Sequence, residues 1–155
     1  YISSVISTPA TGSFAPAKIY YVSTYTAEWN GIQTIPPSGA ITACTLTVPN
    51  GYPTGVYALF WSVDLSAPEY HISGPVEIKI HSSHSDTYLD QVLADWPNVP
   101  SSTRMYYGHY SDRMEVYMTS GSSAWIVLDG QDIRAPDTVN LTRFRMTLEY
   151  LGTAE

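Results

Sequence analysis

The chain has 155 residues, 44% hydrophobic and 14% charged, with a formal net charge of -7 at pH 7. This length points to one domain able to bury a full core. Two lysines and five arginines, of which Arg143 and Arg145 share a strand face, give no basic stripe, excluding counterion-driven nucleic-acid binding and a polybasic membrane surface.

The charged share is well below the about 25% of an average domain. Ser, Thr, Tyr, Asn and Gln must therefore cover much of the surface, which suits an extracellular or particle-surface protein. No run reaches the roughly 18 apolar residues of a membrane span, so no membrane insertion is expected. No signal peptide is evident, and the opening at Tyr1 makes a mature piece or an excised domain the expectation.

Residues 1–16, rich in Ser, Thr, Pro and Ala, read as an extended lead-in or edge strand, with Ile2, Val5 and Ile6 as its apolar members. Residues 17–155 read as a single β-sandwich domain. The Tyr and β-branched residues of 17–26 predict the first strand of that domain. In 41–48, Cys44, Leu46 and Val48 alternate with Thr45 and Thr47, the period of a half-buried strand. Cys44 is the one cysteine, so no internal disulfide forms and a buried thiol is expected. Residues 56–65 are apolar on both faces, which predicts a central strand or one covered by another layer or subunit. In 76–81, Val76, Ile78 and Ile80 point inward, with Glu77, Lys79 and His81 outward.

Residues 86–96 break the strand pattern. Leu89, Val92, Leu93 and Trp96 fall at spacings of three and four, which predicts one short helix capped by Ser83 or Ser85 and closed by Pro97. Farther on, 103–110 and 113–119 read as a hairpin around the turn "YSDR", with Met114, Val116 and Met118 on one face. Residues 124–130 form a short buried strand. In 141–150, Phe144, Met146, Leu148 and Tyr150 alternate with Arg143, Arg145, Thr147 and Glu149. Many short strands separated by Gly/Pro turns predict an all-β, antiparallel, jelly-roll-like sandwich.

His81, His84 and Asp86 are the only local grouping with metal or catalytic flavour. A zinc site needs three or four convergent ligands, yet His81 ends a strand and His84 sits among capping serines. No strained nucleophile elbow, phosphate loop or dinucleotide fingerprint occurs. Candidate acids for glycoside hydrolysis, Glu69, Asp112, Glu115, Asp129 and Asp132, are scattered. The expectation is no catalytic set, no metal and no cofactor.

The thirteen tyrosines and four tryptophans say more. Tyr106, Tyr107, His109, Tyr110 and Asp112 cluster around the predicted hairpin tip. Tyr70 and His71 occupy a second loop and Tyr52 a third. Rigid amphipathic rings are enriched at recognition surfaces, and sugars stack on them. These eight residues are the candidate glycan or receptor contacts.

In style the chain resembles the head or protruding domains of viral and phage attachment proteins, such as tail-fibre or capsid-spike heads. The resemblance rests on the Ser/Thr/Pro/Ala lead-in at 2–16, the Tyr-rich strands, the two lysines and the final alternating strand "TRFRMTLEYLG". It implies a non-enzymatic head at a virion surface or outside a cell. Such a head would form a homo-oligomer, with a trimer favoured and a dimer as alternative, and attach to a host receptor or glycan. A monomeric carbohydrate-binding module or adhesin domain is the alternative. An enzyme, a glycan hydrolase or esterase using His81, His84 and Asp86, is the further one.

Overall fold

A computed structural model describes residues 4–9, 16–21, 24–67, 74–83, 89–94, 106–134 and 137–152. These residues form strands β1 (Ser4–Pro9), β2 (Pro16–Tyr21), β3 (Thr24–Thr34), β4 (Ala40–Thr47) and β5 (Gly55–Ala67). They continue with β6 (Val76–Ser82), β7 (Asp90–Ala94), β8 (Tyr106–Met118), β9 (Ser123–Asp129) and β10 (Asn140–Gly152). Every strand pairing is antiparallel. One sheet has the order β1-β2-β3-β10-β5-β8 and the other β4-β9-β6-β7. After β3 the chain passes repeatedly from sheet to sheet, which makes the sandwich a jelly roll.

Alternating side chains close the core between the sheets. On β6, Val76, Ile78 and Ile80 are buried, and on β9 Ala124, Ile126 and Leu128. Against them lie Tyr57, Leu59, Trp61, Val63 and Leu65 of β5 and Phe144, Met146 and Leu148 of β10. Trp29 stacks on Phe144 with centroids 5.8 Å apart. Fully burying one such side chain contributes about 1.5–3 kcal/mol. Cys44 is buried as expected, and burial pushes its thiol pKa up to about 12, so it is a neutral core group.

Three expectations need correction. The helix at 86–96 is absent where the structure describes it: Asp90–Ala94 form β7, paired with β6 from Val76↔Ala94 to Ile80↔Asp90. Buried Ala94 and half-buried Val92 follow a period of two, while Leu93 is left exposed. Pairing with β6 satisfies this backbone, and tertiary context overrides the helical spacing. The remaining helix residues, 86–88 and 95–96, lie outside the described residues, as do His84 and Asp86.

The hairpin expected from 103–110 and 113–119 is one strand over Tyr106–Met118, and 103–105 lie outside the described residues. β8 runs unbroken alongside β5, with Trp61↔Asp112 and Phe60↔Arg113 in register where a turn was expected. The strand predicted at 17–26 is in fact two, β2 and β3, and β3 continues to Thr34.

Candidate functional site

β8 is the last strand of the six-stranded sheet, and its sequence sorts cleanly by face. Met114, Val116 and Met118 turn toward the core. Tyr107, His109, Ser111, Arg113, Glu115 and Tyr117 turn outward and are exposed. Register with β5 and β10 builds this outer face in rows. Arg113, Phe60 and Thr147 lie abreast; next come Ser111, Ser62 and Arg145; then His109, Asp64 and Arg143. Phe60 is 40% exposed, Tyr107 69% and Tyr117 46%, large rings that the chain itself leaves uncovered.

The charges on this face are paired but loosely held. Asp64 bonds the His109 Nδ1 and lies 3.8 Å from the Arg143 guanidinium, which also donates to Ser62 Oγ at 3.4 Å. Arg145 Nε is 3.8 Å from Glu28 and Arg113 is 3.5 Å from Glu115. The Arg113 guanidinium stands 5.5 Å over the Phe60 ring, a cation–π contact. A concavity of about 510 Å³ opens here, lined by Phe60, Ser62, Ser111, Asp112, Arg113 and Arg145 among others. A smaller one, about 250 Å³, adjoins Asp64, Tyr107, His109 and Thr142.

The eight candidate contacts are thus only partly gathered. Tyr107 and His109 stand on the outer face. Tyr110 is on the opposite side of β8, half-buried, its ring lying over Gly108, where a Cβ would come within 2.7 Å of it. Asp112 is exposed at the edge of the sandwich, near Asp90 of β7. Trp61 Nε1 donates to Asp90, at 3.4 Å. Burial first, then Asp112, raises the Asp90 pKa. Tyr106 opens β8. Tyr52 packs edge-on against Tyr25 at 4.9 Å, beside the core. Tyr70 and His71 lie outside the described residues.

His81 stacks on Trp125 across β6 and β9, with centroids 5.5 Å apart and planes 6° from parallel. Burial first, then Lys79, lowers its pKa, so the ring is neutral at pH 7. Beside it Lys79 bridges Glu77 at 3.0 Å and Asp129 at 3.2 Å. Among the described residues, no three His, Cys, Asp or Glu side chains are grouped to hold a metal.

Sequence reasoning missed Phe60, Arg113 and Ser111 as members of one surface. The signal was present: a strand apolar on both faces leaves one of them to a second layer or a neighbouring subunit, and Phe60 is on that face.

No family model matches this chain, and no curated protein does. Solved structures do resemble it. Eiger TNF from S. frugiperda shares 12% identity at a TM-score of 0.52, with 84% of this chain and 94% of that one covered. Dimeric latent PorU from Porphyromonas gingivalis shares 10% at 0.50, with 82% of this chain but only 13% of that one covered. The globular domain of zebrafish complement 1qA shares 11% at 0.46, with 86% and 100% covered. At these identities the likeness is one of fold.

Proposed function

We propose that this chain is a non-enzymatic binding head that self-associates, as a homotrimer, and attaches to a receptor or glycan outside the cell. The observation that carries the reading is one end of the outer face of β5 and β8, where Tyr117 is exposed beside half-buried Val56. Exposed apolar surface of this kind marks interaction sites. The charge rows beside it hold both signs, so two copies can meet without like-charge clash. Fold likeness to a TNF domain fits a ligand that works by binding. The Ser/Thr/Pro/Ala lead-in and the scarcity of lysine fit a virus or phage surface protein.

Tyr117→Arg tests the reading. It places a charge where a neighbouring subunit would sit and leaves the core untouched. The expected result is an unchanged circular dichroism spectrum and dissociation at a concentration at least tenfold higher than for the parent. Identical mass profiles for both proteins would remove this face from assembly.

A further inference from the structure

Three of the five arginines in this acidic chain, Arg113, Arg143 and Arg145, stand on the outer face of the six-stranded sheet. Arg143 is engaged by Asp64 and Ser62. Arg113 and Arg145 are held less: their side chains are 48% and 52% exposed, and each meets its acid only at 3.5 Å and 3.8 Å. They flank one concavity from diagonal positions across β5, and between them lie Phe60 and Ser62. At about 510 Å³ the space suits a small ligand.

The lining states the ligand's chemistry. Two guanidinium forks match a planar carboxylate, which each can bind through paired N–H donors. The Phe60 ring offers an apolar patch for C–H groups. The hydroxyls of Ser62, Ser111 and Thr147 can exchange hydrogen bonds with ligand hydroxyls. Glu115 and Glu28, beside Arg113 and Arg145, would repel a second negative charge, which favours a monoanion over a dianion such as phosphate. We infer that the concavity between Arg113 and Arg145 is a subsite for a carboxylate-bearing saccharide. The site rests on the reading of the chain as a binding head and names the ligand class of that head. Phe60 and Val56 are four residues apart along β5, about 13 Å, so the subsite lies beside the apolar end of the face.

Calorimetric titration of the full chain with 3′-sialyllactose, lactose and inorganic phosphate tests it, with solution mass recorded on the same sample. The expected result is binding of 3′-sialyllactose, at least tenfold weaker binding of lactose and of phosphate, and weakening with added salt. Arg113→Leu and Arg145→Leu should each lower the affinity for 3′-sialyllactose at least tenfold. Lactose or phosphate binding as well as sialyllactose, or no binding of sialyllactose, overturns the subsite. So does unchanged affinity in both variants. A stable oligomer that binds no acid sugar sinks the subsite and leaves the head; a monomer that binds it does the reverse for self-association.

Discussion

Asp90 is where one side chain joins the two sheets at their shared edge. It sits on β7, takes the Trp61 N–H, and lies near Asp112 of β8. Burial first, then Asp112, raises its pKa. A pKa raised in the folded state means that the stabilisation is fully present below the unfolded value, near 4. It is lost as pH rises through the folded value. The charged form of Asp90 is the one the fold disfavours. Asp90→Asn keeps an acceptor for Trp61 and gives Asp112 a neutral donor. It should raise stability at pH 7 by about 0.2–1 kcal/mol, the range of half-exposed charge pairs, with the gain vanishing below about pH 4. Urea midpoints at pH 3.5 and 7 check this; a gain equal at both would contradict the raised pKa of Asp90. In the core, Leu59→Ala should cost about 2–5 kcal/mol by leaving a cavity between the sheets.

At the scale of elements, close backbone approach fixes where β5 begins. A Cβ on Gly55 would stand 2.3 Å from the Gly152 carbonyl oxygen, at the bulge that ends β10. Gly55→Ala should destabilise by about 1–3 kcal/mol, the range for overpacking, and thermal melts would show it; a neutral result would mean that the β10 end moves freely. The strands legible in the sequence were those with one wet face. Val76, Ile78 and Ile80, and Phe144, Met146 and Leu148, alternate without interruption, so the period declares the element. β7 was hidden because five residues at a sheet edge carry little period, and Leu89, Val92 and Leu93 fit a helix as well. β8 was split because Ser111, Asp112 and Arg113 have turn composition; an edge strand tolerates such polar residues. β3 was not followed past Thr26 because its alternation breaks at Asn30 and Gly31, where a bulge lies opposite Leu141 and Arg143. The site suffered with β8. Its aromatic residues were visible, but the face they share with Phe60 and Arg145 depends on cross-strand register, which no local pattern contains.

At the scale of the molecule, the two outer faces differ. The four-stranded sheet turns out Thr45, Thr47, His81 and the Lys79 bridges, a mostly polar surface on which Leu93 is the one exposed large apolar side chain among the described residues. The six-stranded sheet turns out Phe60, Tyr107 and Tyr117 between charge pairs. Covering the Val56 and Tyr117 end of the second face with copies of the chain, and leaving the Phe60 concavity and the first face free, is the central claim. Light scattering across a hundredfold dilution tests it most directly. A mass of three chains that survives the dilution is the predicted result. A mass of one chain at every concentration would contradict it and favour a monomeric carbohydrate-binding module on the same fold.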